Sequence, residues 1–187
     1  MAKKALVFLA DGFEEVEAIT PIDYLRRSGV EVATVSISGD RTVTGSHNIP
    51  VIADTLLSGT ALGNIAYDAL LLPGGMPGAS NLAASAALGA LLKAQAASGR
   101  IVAAICASPA VALAPLGILE GKRFTCYPGM EDKVKGAAWS EDPVVIDGNI
   151  VTSRGAGTAA AWAVALIDLL LSPKEGEKIA RSVLLQP

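Results

Sequence analysis

A chain of 187 residues, 51% hydrophobic and only 4% aromatic, suits one domain, 1–187, with a core of aliphatic side chains and alanine. A net charge of −3 without clustering of Lys and Arg does not indicate a nucleic-acid-binding face. No apolar run is long enough for a membrane span, MAKKALVFLA meets Asp11 too early for a signal peptide, and two cysteines make no disulfide framework. The expectation is a cytoplasmic enzyme-sized domain with reduced thiols.

The chain alternates between two kinds of pattern. ALVFLA (5–10) is a continuous apolar run, as expected of a strand covered on both faces. Residues 13–29 read as a helix, with acids early, arginines late and a glycine stop. VEVATVSI (30–37) returns to strand. Residues 39–64 are polar and glycine-broken, with short strands or a hairpin expected around TVTGSHNIPVIAD. DALLLP (68–73) predicts a buried strand, GGMPGAS a loop, and 81–99 a helix. RIVAAIC (100–106) predicts another strand and PAVALAPLG a short helix. FTCYP and VVIDGNIVTS (144–153) predict further strands. A long apolar helix over 157–172 and a small amphipathic one over KEGEKIARSVL follow. Strands alternating with helices imply a mostly parallel sheet with helices on both faces, an α/β sandwich.

Ligands of such sheets bind at the carboxyl ends of the strands, and Cys106 falls at one. Ala104 and Ser108 flank it at two-residue offsets, the small neighbours that a nucleophile elbow needs, although Cys replaces Ser and neither flank is glycine. Ser108 and Pro109 fit the start of a helix, whose dipole would lower the thiol pKa. The plainer alternative is a small core cysteine. LLLPGGMPG (70–78) leaves a second strand end without the GK[ST] of a phosphate loop. Backbone N–H groups of Gly74 or Gly75, with that of Ala107, offer an oxyanion hole there; an ordinary turn is the alternative. The only histidine, His47, lies in the irregular segment, so no local Cys-His motif exists. Carboxylates remain as bases: Glu14, Glu15 and Glu17 follow the first strand. The helical wheel does not choose between Glu15 and Glu17, and all three also suit a helix N-terminus. GAGTAA (155–160) matches GxGxxA, but no strand with a terminal acid follows, which argues against a dinucleotide site. No metal-like spacing links His47 to Cys126, so no metal is expected.

ALVFLADGFEEVEAITPIDYLRRSGVEV, LLLPGGMPGASNL, IVAAICASP and VTSRGAGTA together resemble the ThiJ/PfpI superfamily, of the class I glutamine amidotransferase-like fold. They look most like its subgroup containing the human parkinsonism-associated deglycase and bacterial YajL. The resemblance spans essentially the whole chain. It implies a flavodoxin-like three-layer sandwich, a homodimer, and Cys106 as nucleophile at a strained elbow. It chooses Glu17 as the protonated partner of the sulfur. It places the N–H groups of Gly75 and Ala107 on the substrate oxygen. Asp23 and Arg27 match polar residues near the site or the dimer contact, and His47 replaces an arginine near that contact. Tyr127 stands where some members carry a histidine, which excludes a Cys-His pair there and weakens a peptidase reading.

The activity so implied is a cysteine-dependent deglycase or glutathione-independent glyoxalase. It would act on methylglyoxal, glyoxal or their early protein and nucleotide adducts, giving lactate or glycolate without metal or organic cofactor. The rival expectation is a redox-sensing stress-response protein or chaperone working through oxidation of Cys106.

Overall fold

Seven strands form one sheet in the spatial order Val144–Asp147, Ile150–Ser153, Ile101–Ile105, Ala69–Leu72, Lys4–Leu9, Glu31–Ser36 and Thr55–Leu56. The computed structural model describes residues 2–58 and 66–185. The first predicted strand is β1 (Lys4–Leu9), and β2 (Glu31–Ser36) lies parallel beside it. The predicted hairpin is β3 (Thr42–Thr44) with β4 (Pro50–Ile52), antiparallel and apart from the main sheet; β5 (Thr55–Leu56) then joins β2. The remainder of the irregular segment, 59–64, lies outside the described residues. β6 (Ala69–Leu72) and β7 (Ile101–Ile105) continue the parallel sheet on the other side of β1. In the predicted strand at FTCYP only a short β8 (Arg123–Phe124) forms, paired with β9 (Ala138–Trp139), which the sequence pattern does not reveal. β10 (Val144–Asp147) and β11 (Ile150–Ser153) split VVIDGNIVTS into an antiparallel hairpin. Its two-residue turn uses Gly148 at φ 61°, a conformation that suits glycine in tight hairpins.

Helices α1 (Glu15–Arg27), α2 (Gly78–Ala84), α3 (Ala86–Ala97), α4 (Ala159–Leu170) and α5 (Pro173–Ser182) cover the two faces. The period-2 alternation of β1 explains the layering. Ala5, Val7 and Leu9 pack with Leu25 of α1, Trp162 and Leu166 of α4, and Ile179 of α5. Leu6 and Phe8 pack with Leu82, Leu88 and Leu92 of α2 and α3 on the opposite face. The sheet is therefore buried on both sides, which is why its strands read as unbroken apolar runs.

Two predicted helices differ from expectation. The helix expected over 81–99 begins at Gly78, inside the predicted loop, and breaks at Ser85, which is extended at φ −80°, ψ 102°. Ser85 ends α2 and caps α3 by accepting the Leu88 N–H. Ser85→Ala should cost about 1 kcal/mol, read as a lower urea midpoint with an unchanged slope; an unchanged midpoint would refute the cap. The segment after Cys106 is a π-helical turn (Pro109–Leu113) followed by a 3₁₀ turn (Ala114–Leu116), stopped by Gly117 at φ 76°. The short helix expected over PAVALAPLG is thus present, with π and 3₁₀ geometry in place of α.

The chain leaves β1 for β2 on one side and later returns to β6 on the other. The carboxyl ends of β1 and β6 thus flank the switch point where such sheets bind ligands.

Candidate active site

Three strand ends meet at this point. After β1, the chain turns through Gly12 and enters α1. The Glu14 side chain caps α1 by accepting the Glu17 N–H at 2.7 Å, and Glu17 is almost completely buried. After β6, the Gly74 N–H donates to Glu17 Oε2 at 2.8 Å, while the Glu14 N–H donates to the Gly74 carbonyl at 2.9 Å. The two loops hold each other reciprocally. After β7 comes Cys106, at φ 63°, in the left-handed region that non-glycine residues avoid. Such a conformation costs on the order of 1–3 kcal/mol and persists where the surroundings fix it. Here the Cys106 N–H donates to the Ser153 carbonyl, and its own carbonyl accepts from the Tyr127 N–H. Ser108 does not cap the following turn as expected. It is fully buried and its hydroxyl donates to the Pro73 carbonyl at 2.6 Å, tying the β7 elbow to the β6 loop.

The Glu17 carboxyl lies beside Cys106, close enough that a Cβ on Gly74 would touch both, and each group shifts the other's pKa. Burial raises Glu17 to about 7, against the opposing pull of the thiol and of the Gly74 N–H. Burial, followed by the neighbouring Glu17 charge, pushes Cys106 up to about 12. The N–H groups of Gly75 and Ala107 point at the sulfur and pull the other way, less strongly. This corrects the expectation of a thiol pKa lowered by a helix dipole: the helix is only a π-helical turn, and desolvation wins. The pair releases its first proton near neutral pH and holds the second tightly. Glu17 as carboxylate beside a thiol is therefore a base within reach of the sulfur proton.

The other sequence-predicted residues separate into near and far. The N–H of Gly74 is occupied by Glu17, so Gly75 and Ala107, not Gly74, supply the N–H groups turned toward the sulfur. Tyr127 is exposed, with its ring beside Gly155. Asp23 and Arg27 pair with each other at 2.6 Å on the exposed side of α1. His47, in the β3–β4 turn, donates its N–H to Glu15 at 2.7 Å. That contact uses up Glu15, the carboxylate the wheel left in play. Cys126 is buried and its thiol donates to the Tyr127 carbonyl.

Sequence reasoning passes over Gly155. A side chain there would sit 3.8 Å from Glu17 Oε1 and 3.6 Å from the Tyr127 ring. Its signal is the GAGTAA run weighed as a dinucleotide motif. The run does lie between β11 and α4, but α5 follows, with no strand. A cavity of about 500 Å³ opens beside it, lined by Tyr127, Pro128, Pro143, Arg154 and the turn 155–158.

Known proteins share this arrangement of chain. A solved structure of oxidized Toxoplasma gondii DJ-1 superposes with a TM-score of 0.94 and 42% identity, covering 98% of each chain. Protein DJ-1 homolog B of Arabidopsis thaliana is 40% identical over 99% of this chain; the chain spans only 42% of that relative's length. The glutathione-independent glyoxalase DJR-1.2 of Caenorhabditis elegans is 34% identical, covering 98% of this chain and 97% of the relative. Residues 3–169 match the DJ-1/PfpI family, and the chain belongs to that family.

Proposed function

We propose that the protein is a cysteine-dependent, glutathione-independent glyoxalase acting on methylglyoxal and glyoxal, with deglycation of their early protein or nucleotide adducts by the same chemistry. The observation that carries this reading is the buried Glu17 carboxyl beside Cys106 at a strained strand end, with the backbone N–H groups of Gly75 and Ala107 acting on the thiol. The name of the Caenorhabditis elegans relative adds support.

The Cys106 sulfur would attack the aldehyde carbon as Glu17 takes the thiol proton. The carbonyl π pair moves to oxygen, where the two backbone N–H groups stabilise it, and Glu17 returns the proton to give a hemithioacetal. Transfer of the former aldehyde hydrogen to the neighbouring carbonyl carbon, as a proton passed through Glu17, with the hemithioacetal hydroxyl proton moving to the neighbouring oxygen, leaves a thioester of the hydroxy acid. Water then cleaves the thioester, releasing lactate or glycolate and restoring the thiol. Exposed Val16 and Ile19, one turn apart on α1, and exposed Ile49 and Ile52 around β4 form apolar surface that supports the homodimer included in this reading. No helix among the described residues is long and apolar enough to cross a membrane, in keeping with the proposed cytoplasmic setting.

The test is lactate formation from methylglyoxal by the purified protein without glutathione. The wild type should turn over and Cys106→Ala should not. A reduced wild type that produces no lactate would refute the reading. A redox-sensing role for Cys106 is the second reading, favoured by the oxidized state of the Toxoplasma gondii relative.

A further inference from the structure

Outside the Cys106 site, three ligand-type side chains converge where the β3–β4 turn meets the start of α1. His47 Nδ1 lies 2.7 Å from Glu15 Oε2 and 4.0 Å from Glu14 Oε1. The three donor atoms all fall within 4.8 Å of one another. We infer that Glu14, Glu15 and His47 form a binding site for a first-row divalent cation, with Zn²⁺ as the best fit.

The way each carboxylate is held supports this assignment. Glu14 uses Oε2 to accept the Glu17 N–H, which leaves Oε1 turned toward His47. Glu15 uses Oε1 to accept the His47 N–H, which leaves Oε2 against the imidazole. Glu14 is thus anchored through one oxygen and offers the other, while Glu15 Oε2 holds His47 Nδ1 at 2.7 Å and the Ser46 hydroxyl at 3.4 Å, contacts that an ion between the side chains would replace. Glu15 is buried, and the space for its carboxylate exists because residue 45 is glycine: a Cβ there would lie 2.2 Å from Glu15 Oε1. The imidazole is the adjustable member, being two-thirds exposed at the tip of the turn. Ligands about 2.0 Å from a tetrahedral ion are roughly 3.3 Å apart, a value bracketed by the two His47 distances. Two carboxylates balance the ion's charge, and three protein ligands leave a position open to water. An imidazole nitrogen with two carboxylate oxygens suits Zn²⁺ or its transition-metal neighbours and disfavours Ca²⁺ and Mg²⁺, which prefer all-oxygen sets. The site borders the Cys106 centre through Glu14, which accepts the Glu17 N–H, but binding of the ion does not depend on the chemistry proposed for Cys106.

Calorimetric titration of Zn²⁺ into the Cys106→Ala protein removes the competing active-site thiol and reads this site. One saturable equivalent is expected, weakened at least about tenfold in His47→Ala and in Glu14→Gln. Because the chain has one histidine, its imidazole nitrogens can be followed directly by long-range ¹H–¹⁵N spectra; Zn²⁺ should shift Nδ1 as the ligating nitrogen. Ca²⁺ should produce no such shift. Absence of saturable Zn²⁺ binding overturns the inference. So does affinity unchanged by His47→Ala, or ligation through Nε2 with Glu14→Gln silent, which marks an adventitious surface histidine.

Discussion

Glu17→Gln should abolish dicarbonyl turnover and yet leave the folded protein more stable at neutral pH. Glutamine keeps the shape and can still accept the Gly74 N–H that Glu17 Oε2 accepts at 2.8 Å. It cannot take a proton from sulfur, so the rate should fall by about 10²–10⁴, the usual contribution of a positioned acid–base group. The stability effect has a definite sign. Burial raises Glu17 from 4.5 to about 7 in the folded state. The folded chain then binds this proton more tightly than the unfolded one. The resulting stabilisation is complete below pH 4.5 and is lost as pH climbs through about 7. Wild-type stability should therefore decline across that window, by up to about 3 kcal/mol, and Glu17→Gln should remove the decline. Urea unfolding at several pH values, beside the lactate assay, measures both effects. A Glu17→Gln protein that keeps wild-type turnover would show that the carboxyl moves no proton. Parallel pH–stability curves for the two proteins would show that it is not buried as a charge-averse group.

Gly74→Ala should disable the same site by steric means alone. A Cβ at residue 74 would lie 2.6 Å from Cys106 Cβ, 2.8 Å from Glu17 Oε2 and 3.0 Å from the Ala107 nitrogen. Both reacting side chains and one of the proposed N–H donors would have to move for a single methyl group. Overpacking of this kind costs about 1–3 kcal/mol, and misplacing reacting groups by an ångström costs about 10²-fold in rate. Gly29→Ala is the natural control. Gly29 ends α1 at φ 87° with nothing within 4 Å of a would-be Cβ, so alanine there meets strain but no neighbour. It should lose about 1 kcal/mol and no activity. If Gly74→Ala were as active as Gly29→Ala, the close packing of Gly74 against Cys106 and Glu17 would be irrelevant to the chemistry.

Much of this molecule is legible in one dimension. The unbroken apolar runs at 5–10, 68–73 and 100–106 mark β1, β6 and β7 because a strand covered on both faces needs no polar alternation. Acids before arginines mark α1, because the helix dipole orders them so. The elbow is legible in part: a strand that ends on cysteine between small residues fits a sharp turn at the sheet's ligand edge and a plain core cysteine equally, and Cys106 φ 63° shows the turn. The short β9 is not, because two exposed residues, Ala138 and Trp139, carry no periodic signal. Nor is the break at Ser85, since alanine-rich sequence on both sides favours a helix and the interruption is a local side-chain cap.

The carboxylate marks the boundary between the two kinds of information. Glu15 and Glu17 have similar apolar neighbours in sequence, and the period of α1 cannot separate them. The resemblance points to Glu17, and the folded chain supplies the physical reason: the β6 loop brings the Gly74 N–H to Glu17 while the β3–β4 turn brings His47 to Glu15. The same holds for the thiol. Sequence position puts Cys106 at a helix start and implies a low pKa, whereas burial against Glu17 sends it upward. By itself the sequence determined the main strands and the layers, because these follow from periodicity and from short-range turn chemistry, and its motifs carried the resemblance to the family. The partners and protonation states of the site were decided by tertiary structure alone, because desolvation and hydrogen bonding depend on which distant segments meet.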